Sequence, residues 1–220
     1  VPARSEPGSL RGLRLPRQAR SRATLDRLMT AAAELLAERR FEEATVAELV
    51  KRAGSSVGAF YARFGNKEAL LRELDERLFE AGRTSWRDFL ADERWERAGA
   101  GEILDAFVGR LVAKRRERRG LLRALVLHAR ANPGSDFAKR SVRLNRRLVG
   151  RITEMLLARR GDMGHPRPEE AVPFALQIAD SVTRDAIVFE EGALAPKRSD
   201  RALEADLTRV IRLHLGVKEP

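Results

Sequence analysis

The sequence predicts an all-α protein, and three observations carry that reading. From Ser21 onward the apolar residues recur at i, i+3, i+4 and i+7 in one segment after another, the period of a helix with one buried face. No segment alternates apolar and polar residues for long enough to form a strand. Capping residues and glycines stand where these periodic segments begin and end. With 220 residues, 43% of them hydrophobic, the chain is large enough to bury a core without covalent staples.

The elements follow in order. Residues 1–20 interleave Pro2, Pro7, Pro16, Gly8 and Gly12 with Arg4, Arg11, Arg14, Arg17 and Arg20, a composition that predicts a disordered basic tail. From Ser21, Leu25, Leu28, Met29, Ala32, Leu35 and Leu36 form a single apolar stripe. Thr45 with Glu48 reads as a capping box opening a second helix, and Gly54 supplies the left-handed residue that ends it. Ser56 caps a third helix, Val57 to Phe64, which Gly65 stops; Asn66 opens a longer one reaching about Arg83. Further helices are expected over 101–118, 120–131, 134–160, 168–191 and 200–215, broken at Pro133, Gly161–Pro168 and Gly192–Pro196.

Composition removes several classes of function. There is no cysteine, so disulfide scaffolds, thiolate zinc sites and cysteine nucleophiles are excluded, and a reducing, cytoplasmic setting is expected. His128, His165 and His214 share no metal-ligand spacing, so no metal site is expected. No phosphate-binding glycine loop, nucleophile elbow or carboxylate–histidine cluster is present, so the expectation is no catalytic residue, no cofactor and no enzyme. No apolar run is long enough to span a membrane, and no membrane partner is expected.

The formal net charge of +11 points to a polyanionic partner. The charge is uneven: residues 1–80 carry 15 basic and 12 acidic side chains, whereas residues 110–160 carry 16 and 3. Two readings of that second stretch stay open, solvated helix faces in an arginine-rich chain or a nucleic-acid surface. For the first stretch, specific residues must make the case. Three short helices over 22–64, the last two joined by Gly54 and Ser55, have the lengths of a helix-turn-helix. In such a unit Val46, Leu49, Val50 and Ala53 pack the pair, Phe60 and Phe64 anchor the reading helix, and Val57, Ala59, Tyr61 and Arg63 are left outward.

The segment Thr45 to Leu71, TVAELVKRAGSSVGAFYARFGNKEALL, resembles the DNA-binding domain of TetR-family transcriptional regulators. The resemblance rests on the capped second helix, Ala53-Gly54, Ser56, Gly58, Phe60-Tyr61, Phe64 and Lys67 to Leu70, and covers about a quarter of the chain. It implies a division into the tail (1–20), a helix-turn-helix domain (21–66) and a regulatory and dimerisation domain (67–220). It also implies double-stranded operator DNA as partner. Thr45, Ser56, Tyr61 and Lys67 would hold phosphates, and Val57, Gly58 and Ala59 would lie nearest the base edges. Arg63 would reach a phosphate or a base, and Arg20 or Arg22 a phosphate or the neighbouring minor groove. Two residues depart from the family pattern: Ser55 stands where an aliphatic plug is usual, and Arg40 where glycine is usual.

For the remainder, the resemblance implies a homodimer joined by the last two helices, with Ile178, Val182 and Phe189 on one and Leu207, Val210 and Ile211 on the other. It also implies a small-molecule effector, here apolar or amphipathic because aromatic residues are few. Candidate pocket residues are Phe107, Leu111, Leu125, His128, Asn145, Leu148, Phe174 and Gln177, with Asp180 a further polar interruption of an apolar face. The function so implied is a ligand-responsive repressor on a palindromic operator. The alternative is a sequence-nonspecific architectural DNA binder using the arginine-rich helices.

Overall fold

A computed structural model of the chain describes residues 17–38, 40–134, 136–189 and 198–217, and leaves out the side chains of 17–21, 136 and 137. Most of the expected basic tail, residues 1–16, lies outside the described residues, as do Gly192–Pro196 and the Arg20 and Phe137 side chains. The fold is all-α. Its helices are α1 (Arg17–Glu38), α2 (Val46–Arg52), α3 (Val57–Phe64), α4 (Lys67–Leu90), α5 (Ala100–Glu117), α6 (Arg119–Ala131), α7 (Asp136–Leu157), α8 (Pro168–Thr183) and α9 (Asp200–Leu215).

Three boundaries differ from expectation by more than three residues. Helix α1 begins at Arg17 rather than Ser21, because the helix-opposing residues end at Pro16 and Arg17-Gln18-Ala19-Arg20 favour helix. Helix α4 runs seven residues past Arg83, where Phe89 is buried and Trp86 packs on the same core. Helix α8 stops at Thr183 and continues as one π turn, Arg184–Val188. At that junction the buried Thr183 hydroxyl donates to the Ala179 carbonyl (2.6 Å), while Arg115 of α5 bonds Thr183 and the Asp180 carbonyl and carboxylate. Asp180 therefore belongs to an intrachain ion network and not to a ligand site.

Two cores form, and their border is not at residue 66. The first joins Leu25, Leu28, Met29 and Leu35 of α1 with Leu49, Phe60, Leu70 and Leu74, and it takes in Ala124 and Leu125 of α6. The second is built from α5, α7, α8 and α9 around Ile103, Leu104, Val108, Ile152, Leu156, Leu176, Ile211 and Leu215. The helix-turn-helix therefore shares its apolar interior with the start of α4 and with α6.

Two contacts fix the amino-terminal half against the rest. At the first, α6 crosses α1 so closely that a Cβ on Gly120 would lie 2.3 Å from Ala37 Cα and from the Leu36 carbonyl oxygen. At the second, Arg140 of α7 forks onto Asp75 and Glu76 of α4. Asp75 is buried and its Oδ1 has no hydrogen-bond partner. Burial raises its pKa from 3.8 to about 6, a rise that the Arg140 charge and hydrogen bond only partly offset.

Gly120→Ala should lower unfolding free energy by about 1–3 kcal/mol, read as a lower urea midpoint at unchanged slope, since backbone must move to admit the methyl group. Asp75 gives a pH signature. Its folded-state pKa lies above the unfolded value, so its contribution is fully present below about pH 4 and is lost as pH rises through about 6. Between those limits the wild type should lose on the order of 2–3 kcal/mol relative to Asp75→Asn in parallel denaturation series.

Candidate nucleic-acid interface

The two short helices are held from both ends. At the start of α2, Glu48 N–H donates to Thr45 Oγ1 (3.2 Å), and Thr45 N–H and Oγ1–H both donate to Glu48 Oε2 (3.1 and 2.8 Å). The expected capping box is formed. It engages both Thr45 donors with the Glu48 carboxylate. At the other end Arg27 Nε of α1 donates to the Ala53 carbonyl (3.2 Å), and Arg52 makes a two-pronged pair with Glu38 (2.7 and 2.8 Å). These two arginines set α2 on α1. Helical periodicity gave no sign of either, because each acts across 14 or more residues of sequence.

The turn between α2 and α3 follows from Gly54, whose φ of 56° is left-handed. Ser55 is half-buried there, and its N–H donates to the Val50 carbonyl (2.8 Å). Arg40 raises no strain, because no non-glycine among the described residues has a positive φ.

Ser56 caps α3, its Oγ accepting from Ala59 N–H (3.1 Å), and its hydroxyl proton stays available as a donor. Phe60 is fully buried, with its ring 5.2 Å from that of Phe64 and 5.3 Å from that of Tyr61. The opposite face is open. Val57 is 47% and Tyr61 51% exposed, Gly58 and Arg63 are exposed, and Ala59 is half-buried at the flank. Arg22 is exposed on α1. Lys67 Nζ donates to the Phe41 carbonyl (2.8 Å) and lies 4.7 Å from the centroid of the Phe41 ring. It ties the start of α4 to the loop after α1.

The tentative ligand residues do not converge. Phe107 and Leu111 are buried in the second core, with Leu148 against it, whereas Leu125 is buried in the first. His128 is half-buried, Asn145 lies exposed on α7, and Phe174 and Gln177 are exposed on α8. The cause is physical: an apolar stripe shows that a helix has a buried face, not which core receives it. A cleft of about 270 Å³ lies elsewhere, between α1 and α6, lined by Glu38, Arg40, Glu43, Arg119, Gly120 and Arg123.

The candidate dimer residues also divide. Val182 and Val210 are exposed, Ile178 is half-buried, and Phe174 and the 75%-exposed Leu213 extend the same apolar surface of α8 and α9. Leu207 and Ile211 instead point inward and are buried in the chain's own core. Phe189 is half-buried, with the Arg130 guanidinium 4.7 Å from its ring centroid. Among the described residues no group of three or more His, Cys, Asp or Glu could hold a metal ion, and no helix is long and apolar enough to cross a membrane.

This arrangement, a capped short helix reversing through a left-handed glycine into a reading helix anchored by one buried phenylalanine, has known counterparts. Residues 28–74 match the family profile described as bacterial regulatory proteins, tetR family. Over its amino-terminal domain the chain is similar to TetR-family regulators. TetR-family regulators are DNA-binding transcription factors, not enzymes. An uncharacterized HTH-type transcriptional regulator, YvdT of Bacillus subtilis, is 34% identical over 53 residues, which is 24% of this chain and 27% of that protein. The MbdR regulator from Azoarcus sp. CIB is similar over 90% of this chain and all of its own, with a TM-score of 0.64 at 17% identity. PfmR, a TetR-family regulator from Thermus thermophilus, gives 0.61 at 19% over 89% of this chain and 100% of its own. A transcriptional regulator from Rhodococcus sp. Rha1 gives 0.60 at 25%, over 89% and 99%. The TetR-type fold therefore extends through both halves of the chain.

Ser56→Ala removes the cap of an eight-residue helix. It should lower stability by about 1 kcal/mol, measured by chemical denaturation.

Proposed function

We propose that this TetR-family chain is a dimeric repressor that reads a palindromic operator with α3 and is released by a small, largely apolar effector. The observation that carries the reading is the two-sidedness of α3: Phe60 is wholly buried while Val57, Gly58, Tyr61 and Arg63 face outward. Val57 and Ala59 offer apolar contact, such as to a thymine methyl, and Gly58 lets the backbone approach the base edges. The Ser56 and Tyr61 hydroxyls flank that stretch as phosphate donors that set register. Thr45 with the first N–H groups of α2, and Lys67 at the start of α4, would hold further phosphates.

The exposed apolar surface of Phe174, Val182, Val210 and Leu213 supports pairing through α8 and α9. A two-fold dimer presents two reading helices roughly 34 Å apart, one turn of duplex DNA. Bound at a promoter in the cytoplasm, it represses most simply by excluding polymerase. Effector release is a population shift: the effector must favour a dimer whose α3 helices are wrongly spaced, and it moves the balance only by its differential affinity for the two forms. A coupling of ~1–3 kcal/mol would change operator affinity about 5–150-fold. The levers for it are the Gly120 crossing and the Arg140 fork, which join the reading half to the rest.

The test is recovery of genomic fragments by the purified protein, followed by titration of the recovered sequence and of random duplex at physiological salt. The recovered sequence should bind at least ~10³-fold more tightly, and a ratio near one would refute operator reading. Val210→Asp with Leu213→Asp should turn the dimer into a folded monomer in sedimentation experiments and abolish that preference. A double variant still dimeric would place the interface elsewhere.

A further inference from the structure

The structure divides the basic residues of 110–160 into two groups. Several are internal ties: Arg115 to Asp180, Arg116 to Asp200, Arg119 to the Ile187 carbonyl, Arg140 to Asp75 and Glu76, and Arg159 to the Trp95 and Ala98 carbonyls. Lys139, Arg143, Arg146 and Arg147 differ. All four are exposed on α7, and their side chains have no hydrogen-bond, ion-pair or ring partner among the described residues. At 3.6 residues per turn they fall within one arc of roughly 100°. No acidic residue lies between Asp136 and Glu154 to neutralise them.

An unpaired cationic stripe is a surface for a polyanion, and two features select duplex DNA. The apolar face of α7 is already used, with Ile152 and Leu156 fully buried, so among the described side chains of this helix only Val142 (57% exposed) is large, apolar and exposed. An amphipathic membrane helix needs a whole apolar face to insert, and α7 has none to offer. The stripe also fits in length. Lys139 to Arg147 spans about 12 Å along the helix, which matches roughly three or four phosphates of one DNA strand. Guanidinium groups hold phosphate oxygens by two parallel hydrogen bonds. The stripe is attached to the amino-terminal unit, since Arg140, within its first turn, grips Asp75 of α4, about 12 Å along that helix from its start after α3.

We infer that the outer face of α7 is a second, sequence-independent contact, holding the phosphate backbone of duplex DNA outside the stretch that α3 reads. The inference rests on α3 being a DNA contact, and the test separates the two. Full-length wild type is compared with K139Q/R143Q/R146Q/R147Q, the milder R146Q/R147Q pair, the charge-retaining R143K/R146K/R147K, and Y61A/R63Q in α3. Binding to a labelled 40-base-pair duplex of random sequence is followed by fluorescence anisotropy from 50 to 200 mM KCl, with melting temperatures recorded alongside.

The fourfold glutamine variant should lower the slope of log affinity against log salt by about 2 to 4, and the pair by about 1 to 2. The lysine variant should keep the wild-type slope. The glutamine substitutions should have the same effect when added to Y61A/R63Q. Glutamine variants that melt like wild type and keep its slope overturn the inference. So does loss of binding to vesicles containing phosphatidylserine with the duplex slope unchanged, which would make the partner a lipid surface. Wild-type operator binding by Y61A/R63Q would instead overturn the reading of α3 and leave the α7 result standing.

Discussion

An eight-residue helix has no stability of its own in water, since the cost of nucleation exceeds what two turns of hydrogen bonds return. Helix α3 is that short, so its place and pitch are set from outside. The burial of Phe60 is the constraint on which the reading surface depends. With that ring fully enclosed among α1, α2 and α4, the opposite side of the helix is obliged to face solvent, and Val57 and Tyr61 stand out by geometry alone. The Ser56 cap and the Gly54 turn refine the position, and Arg27 and Arg52 hold α2 in the matching attitude.

The rest of the molecule transmits force to that helix through few points. The arginines that give the chain its charge work chiefly as cross-braces. Arg115 ties α5 to the end of α8, and Arg212 of α9 pairs with Asp105 of α5 (2.6 and 2.9 Å) in a space that Gly101 leaves open. Arg159 closes the turn around Trp95. Such a frame suits a body that shifts as a unit rather than one that deforms locally, because each brace joins two helices by directional bonds.

Much of this was legible in the residues. The caps at Thr45, Ser56 and Asn66 and the stops at Gly54 and Gly65 are local chemistry, and local chemistry is written in adjacent positions. The class of fold and the outward face of α3 followed from periodicity in the same way. What stayed hidden was non-local. Leu125 and Phe107 look alike in sequence but enter different cores, and Leu207 is buried while Val210, three residues on, is half exposed. The bond from Lys67 to the Phe41 carbonyl stayed hidden too, because the two lie 26 residues apart. The continuation of α4 to Leu90, past the expected end near Arg83, goes with the burial of Phe89.

The presence of Ala124 and Leu125 in the amino-terminal core bears on how such proteins can be recombined. A chimaera that splices this domain onto a foreign partner just after Asn66 would lose both α4 and the inner wall supplied by α6, and so uncover the apolar side of α1. A viable graft has to carry α6 along with the first turns of α4. The smallest transplantable cassette is therefore discontinuous in the gene: two stretches of codons, separated by all of α5, that must travel together.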